Sequence, residues 1–255
     1  MKLTFLGSGT SQGIPVIGCG CAVCRSRDPR DKRRRASIAI AAGGTTVVVD
    51  TTPEFRLQIL DADIAHLDAV LFTHAHADHL HGLDDVRGFN HIQNHAIACY
   101  GDAATLRIIR ESFRYMFEGV NYGGGLPEVA LSEVTGPFQV GPIAFEPVEV
   151  LHGPAQILGY RFANAAYVTD ASFIPETSMA KLTGLDVLVL NALRYEPHPT
   201  HLSVSESVEI ARRLGARRTF FTHICHRLSH AEASAALPAG IAFAYDGLVI
   251  EVPDR

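Results

Sequence analysis

A layered α/β protein is what this sequence predicts, on three observations. Short apolar, β-branched segments bounded by turn residues recur along its 255 residues. The early segments follow one another through turns, and the later ones alternate with helical patterns. Hydrophobic residues make up 47% and charged residues 19%, which suits a buried core rather than a disordered chain.

The elements read as follows. Residues 2–6 form a first strand, followed by the glycine-bearing loop GSGTSQGIP. Its glycines let the backbone turn tightly, and Ser8, Thr10 and Ser11 are candidate donors to a substrate. Segments 36–41 and 45–50 are strands, and AGGTT (42–46) between them reads as a hairpin turn. Strands follow at 68–73 and 96–100. Residues 102–117 place Leu106, Ile109, Phe113 and Phe117 on one side, the period of a helix. VNYGGGLPE (120–128), with three glycines, is the loosest stretch. Strands resume at 143–150, 157–162, 165–169, 186–191 and 217–221, and at 241–251 with a break at Gly247. SVSESVEIARRLG (203–215) is a helix with Ser203 as N-cap, Glu206 completing a capping box, and Gly215 at its end. The sequence offers no linker, so one domain is expected over 1–255, with the loop near 18–35 tied down by its cysteines.

Composition excludes several classes. No apolar run approaches the roughly 18–20 residues that span a bilayer. The start lacks the apolar segment and cleavage site of a secretory signal. Five cysteines, an odd number with three clustered, are not a disulfide framework. A cytoplasmic, reducing location and no membrane partner are expected. The net charge of −5 gives no broad basic footprint for nucleic acid. The one basic run, Arg30 to Arg35, reads as a solvated loop.

The chemistry lies in VLFTHAHADHLHGL. A strand ending at Thr73 runs into His74-x-His76-x-Asp78-His79. Alternation puts His74 and His76 on one side of an extended backbone, and Asp78 and His79 fall at the turn where a helix can begin. Imidazole and carboxylate suit zinc, iron or manganese. His81 reads as a supporting residue rather than a ligand. Four ligands cannot complete two metal sites. Three later strand ends present more: His152 in VEVLHGP, Asp170 in YVTDAS and His223 in RTFFTHICH.

Cys19, Cys21 and Cys24 form C-x-C-x2-C. Three thiolates leave a tetrahedral zinc one ligand short, and His226 and its neighbour Cys225 both compete for the fourth place. A structural zinc there can contribute on the order of 10 kcal/mol.

These motifs resemble the metallo-β-lactamase superfamily. The resemblance implies a four-layer αβ/βα sandwich with metals at one sheet edge. It assigns His74, His76 and His152 to one metal, Asp78, His79 and His223 to a second, and Asp170 to bridging them. The set lacks the thiolate of the zinc-dependent lactamases, which argues against antibiotic hydrolysis. C-x-C-x2-C with THxxH resembles a narrower group, the PhnP-like phosphodiesterases of phosphonate breakdown, in which the fourth structural-zinc ligand matches His226.

Two cations roughly 3.5–4 Å apart acidify a shared water to hydroxide and neutralise a phosphoryl oxygen. Asp78 can orient that hydroxide. The leaving alkoxide needs a proton, and His201 in EPHPTHLSVSES matches the narrower group's general acid, with His198 as competitor. The expected activity is a metal-dependent phosphodiesterase acting on small cyclic or ribosyl phosphodiesters. Its cofactors would be two manganese or zinc ions (or iron) and one structural zinc. The alternatives are a transfer-RNA 3′-processing nuclease, an acyl hydrolase such as a lactonase or thioesterase, and a non-catalytic metal scaffold. The nuclease family typically holds RNA with a long basic arm, which this sequence lacks. The resemblance also implies a homodimer.

Overall fold

The computed structural model describes residues 1–119 and 125–253. It contains two seven-stranded sheets. The strands are β1 (Lys2–Gly7), β2 (Ser37–Ala42), β3 (Thr45–Val49), β4 (Ala69–Leu71), β5 (Ile97–Gly101), β6 (Val129–Glu133), β7 (Phe138–Val140), β8 (Ile143–His152), β9 (Ala155–Phe162), β10 (Ala165–Val168), β11 (Val187–Asn191), β12 (Arg218–Thr222), β13 (Ile241–Phe243) and β14 (Val249–Glu251). The first sheet runs β14-β1-β2-β3-β4-β5-β6 and the second β13-β12-β11-β10-β9-β8-β7. Each is antiparallel on one side and parallel on the other, with β3 to β6 and β10 to β13 parallel.

The sheets face each other through a core that includes Phe5, Ile38 and Val47 from the first and Phe145, Tyr160 and Tyr167 from the second. On the outer face of the first sheet, Val48 and Val70 pack with Phe55, Leu83, Phe89 and Ile109, which come mostly from helices. On the outer face of the second, Leu188 and Phe221 pack with Met179, Val204 and Leu214. The order helix, sheet, sheet, helix is the expected αβ/βα sandwich. Parallel strands buried on both faces need continuous apolar runs, and Val187–Asn191 (VLVLN) is buried throughout. The β2–β3 hairpin turns on Gly43 and Gly44, both at positive φ (56° and 85°), as a two-residue primed turn requires. The helix Val204–Leu214 carries the predicted capping box, and Gly215 ends it in the left-handed region.

Some elements differ from the sequence reading. The expected helix over 102–117 divides into Ala103–Ser112 and Arg114–Phe117 at Phe113, which leaves helical dihedrals as its ring is buried. β6 and β7 were not foreseen, because β6 is the first sheet's edge strand and mostly exposed, and β7 has three residues. The glycine-rich stretch 120–128 has its first five residues outside the described ones. Among the described residues, no helix is long and apolar enough to cross a membrane.

Candidate metal centres

Parallel strands end at a common edge of each sheet, and the ligand-type residues sit there. Thr73-His74 follows β4, His152 closes β8, Asp170 follows β10 and His223 follows β12. Across the gap, Tyr160 Oη donates to the Phe72 carbonyl (2.7 Å) and the Leu158 amide to Thr73 O (3.0 Å). Three residues at this edge, Asp50, Asp170 and His223, adopt positive φ of 67°, 58° and 55°. Such backbone is disfavoured for residues other than glycine and clusters at functional sites.

The structure brings the predicted residues into two groups. Ligand atoms of His74, His76 and His152 lie within 4.8 Å of one another, as do those of Asp78, His79, Asp170 and His223. Asp170 joins the groups. Its Oδ1 is 3.2 Å from His223 Nε2 and its Oδ2 3.3 Å from His79 Nε2, and it shares a third group with His152 and His201. Asp78 Oδ2 lies 3.2 Å from His79 Nε2 and 3.8 Å from His223 Nε2. His81 belongs to none of these groups. Its ring meets Phe113 edge-on at 6.2 Å.

Hydrogen bonds fix which nitrogen of each ring faces inward. His79 Nδ1 donates to Asp50 Oδ2 (2.7 Å). Thr73 Oγ1 donates to the same oxygen (2.8 Å) and accepts from His74 Nδ1 (3.0 Å). His152 Nδ1 donates to Thr200 O (2.7 Å). The Nε2 atoms of all three are thereby directed at the cluster, the supporting arrangement of metal-binding histidines. Asp50 alone orders two of them. It is fully buried and was missed in the sequence, where it sits at the end of the predicted strand 45–50. Its signal was a carboxylate ending the apolar run VVV, as Asp170 follows AYVT.

Divalent cations fit this cluster. His79 Nε2 and both nitrogens of His223 are buried without a hydrogen-bond partner among the described residues, a condition native interiors rarely leave uncompensated. His74 Nε2 and His76 Nδ1 stand 3.0 Å apart, close enough to share one cation. Burial, then the neighbouring His79, holds His74 well below the usual histidine range, in its neutral, ligating form. Burial would raise Asp170, but His223 and His79 outweigh it and keep the carboxylate ionised. Burial likewise works against Asp78, where His79 and His223 prevail.

The cysteine loop closes on the same turn that carries His223. His226 Nδ1 lies 3.3, 3.5 and 3.8 Å from the sulfurs of Cys19, Cys21 and Cys24. Ligands of a tetrahedral zinc, at about 2.3 Å for sulfur and about 2.0 Å for nitrogen, stand about 3.5 Å apart, so the four fit. Cys225 is outside this group. Its thiol is buried and accepts from the Arg227 amide (3.4 Å). The Cys24 amide, then the His226 ring, draw the Cys21 thiol down to about 6, which favours the ligating thiolate.

Two sequence readings are corrected here. The basic run is not a solvated loop throughout: Arg33 is 1% exposed. It pairs with Asp31 (3.0 Å) and donates to the carbonyls of Cys225 (3.2 Å) and Leu228 (2.8 Å), bracing the turn between both clusters. Asp31 also accepts from the His230 amide (2.8 Å). Ser8 is not a free donor to substrate. Its hydroxyl is buried on Asp246 (2.8 Å), and its carbonyl accepts from the Ile224 amide beside His223.

A four-layer sandwich with this imidazole–carboxylate edge defines a metal-dependent hydrolase. The model of the beta-lactamase superfamily domain matches residues 45–224. The chain belongs to that superfamily and is a metallo-β-lactamase-fold hydrolase close to PhnP. A crystal structure described as a new diphosphatase from the PhnP family superposes with a TM-score of 0.93 and 46% identity, over 99% of this chain and 98% of that one. Zinc-bound PqqB from Methylobacterium extorquens, at 19% identity and TM-score 0.82 over 99% of this chain and all of that one, shares the fold. The octanoyltransferase of Porphyromonas gingivalis (strain ATCC BAA-308 / W83) is 38% identical over 260 residues, all of this chain and 52% of its own. The chain thus spans about half the length of that curated relative.

Proposed function

We propose that this protein is a binuclear metal-dependent phosphodiesterase acting on small phosphodiesters, with a separate structural zinc. The observation that carries the proposal is the seven-residue nitrogen–oxygen cluster, thiolate-free, with His201 laid against it. A bound pair of divalent cations would supply charge neutralisation of a phosphoryl oxygen and acidification of a water. His74, His76 and His152 would hold one, and Asp78, His79 and His223 the other, with Asp170 between them.

His201 is the better-placed proton donor. Its ring stacks on His223 at 4.7 Å and 21° and lies 4.7 Å from His152. His198 is one ring further out, 5.1 Å from His201. His201 Nδ1 faces Asp170 Oδ1 at 3.6 Å, which leaves Nε2 for the leaving oxygen. Burial, then His223, draws this ring down to about 3. A phosphoryl anion arriving beside it moves the value back up. Thr73 Oγ1 and Asp50 accept from the outward Nδ1 of His74 and His79 and so hold both rings in place.

The 46%-identical diphosphatase supports phosphorus–oxygen chemistry. An overall acidic chain, −5, speaks against RNA as substrate. The thiols and the proposed zinc suit a reducing, cytoplasmic setting. The test is turnover of bis-p-nitrophenyl phosphate against a lactone and thioester panel with manganese or zinc added. Phosphodiester turnover that disappears in Asp170→Ala is expected. Turnover confined to the acyl substrates would overturn the reading and favour the acyl chemistry that the P. gingivalis relative's name carries.

A further inference from the structure

We propose that Asn191 is a positioning residue that sets the proton donor His201 against the bridging carboxylate Asp170. This rests on the phosphodiesterase reading above. Three neighbouring parallel strands, β10, β11 and β12, end at the cluster. The outer two are followed by Asp170 and His223. The middle one ends on Asn191, which is fully buried although strands disfavour its residue type. Its side chain closes on both backbone groups of one residue, Ala171. Asn191 Nδ2 donates to the Ala171 carbonyl (3.0 Å), and Asn191 Oδ1 accepts from the Ala171 amide (2.8 Å). Only one orientation of the side-chain amide makes both bonds, since a half-turn would set oxygen against oxygen and N–H against N–H.

Ala171 follows Asp170, whose φ of +58° persists only where the surroundings over-determine it. The Ala171 carbonyl has a second donor, the Leu202 amide (2.8 Å), from the residue next to His201. Ala171 thus joins the bridging carboxylate to the proton donor, and Asn191 holds Ala171. Asn191 is itself pinned, because its own carbonyl accepts from Ser207 Oγ (2.7 Å) in the helix Val204–Leu214, which starts just beyond His201. In this frame His201 Nδ1 stands 3.6 Å from Asp170 Oδ1, with its ring stacked on His223 at 4.7 Å. A buried amide that only satisfied stray backbone groups could sit at any strand end. This one holds the residue that lies between the two groups whose spacing the reaction needs, and a misplacement of about 1 Å can cost about 100-fold.

The test compares Asn191→Ala with wild type, both metal-loaded, on two diesters that differ in their need for a proton. Bis-p-nitrophenyl phosphate releases a stabilised phenolate, whereas 2′,3′-cyclic adenosine monophosphate must release an alkoxide. In Asn191→Ala, kcat on the cyclic diester should fall about tenfold or more beyond any fall on the nitrophenyl diester, with metal content kept. In a His201→Ala background the same substitution should cost little more on the cyclic diester. Equal losses on both diesters, or an undiminished loss without His201, overturn the proposal. A crystal structure of Asn191→Ala should show His201 displaced from Asp170 while His74 and His79 keep their places; an unmoved His201 overturns it. Nuclear magnetic resonance on the wild type decides the clamp even if the variant does not fold. Couplings across hydrogen bonds should join both Asn191 Nδ2 and the Leu202 amide nitrogen to the Ala171 carbonyl carbon, and the absence of either contradicts the assignment. Wild type that cleaves neither diester sinks the phosphodiesterase reading, while the crystal structure and the couplings still decide the role of Asn191.

Discussion

The nitrogen–oxygen cluster and the cysteine cluster hang from opposite ends of one turn, His223 to His226, yet they are built differently. The first collects seven side chains from residue 74 to residue 223, mostly buried, five in the segments at or after strand ends and two, Asp78 and His79, in the short helix Ala77–Leu80. Its histidines His74, His79 and His152 are oriented through their second nitrogens. The second takes three of its four members from six consecutive positions in a half-exposed loop, and only His226 comes from afar. The fold makes the first; a local motif makes the second and ties the loop to the turn. Disturbing the first should remove activity with little change in stability, and disturbing the second should do the reverse.

The largest expected effect is on the first region. Asp170→Ala should abolish turnover and empty at least one cation position, read by turnover and metal content together. Full activity with both cations retained would remove Asp170 from its place between the groups. Next comes Cys21→Ser. It should lose one zinc and lower the melting temperature by roughly 10 °C or more, at roughly 2–4 °C per kcal/mol, with the other metals kept. An unchanged melting temperature and zinc count would erase the contrast. Arg33→Met should destabilise the protein by about 3–5 kcal/mol in denaturant, because Asp31 is left buried and unpaired. The double variant with Asp31→Asn should regain part of that loss.

Asp50→Asn should weaken metal affinity or activity about 10–100-fold, since an amide whose oxygen still accepts from Thr73 Oγ1 and His79 Nδ1 turns its NH2 on the Thr73 amide, from which the other carboxylate oxygen accepts at 2.8 Å. The smallest effect is a pH signature at Asp246, which accepts from Ser8 and the Arg34 amide. Burial, outweighing the Arg34 and Ser8 donors, raises Asp246 to about 6. Its folded pKa thus exceeds the unfolded value of about 3.9. Its contribution to stability is complete below about pH 4 and is lost as pH rises through about 6. The stability difference between wild type and Asp246→Asn should therefore narrow as pH rises across that window. Widening would contradict it.

How much of this could be read from the sequence follows the same division. HxHxDH and C-x-C-x2-C are local patterns, legible because spacing alone brings their atoms together. His152, Asp170 and His223 were legible as ligand-type residues at the ends of apolar strands. Asp50 was not, because a single carboxylate after VVV looks like the start of a turn until Thr73 and His79 are seen on it. Arg33 was hidden in a run of exposed-type residues. Only the fold places Cys225, Leu228 and Asp31 around it. The choice between Cys225 and His226 was open in the sequence, and the spacing of Nδ1 to the three sulfurs decides the geometry. Phe113 was missed where tertiary packing overrode a local period, and β6 because a mostly exposed edge strand carries little apolar signal.

Metal content and turnover followed in one sample during mild chelation give the most direct test. Three divalent metals per chain are expected at the start, two leaving together with phosphodiesterase activity and one zinc staying with the folded protein. Activity that survives the loss of those two, or three metals leaving as a single class, would contradict the two-region design.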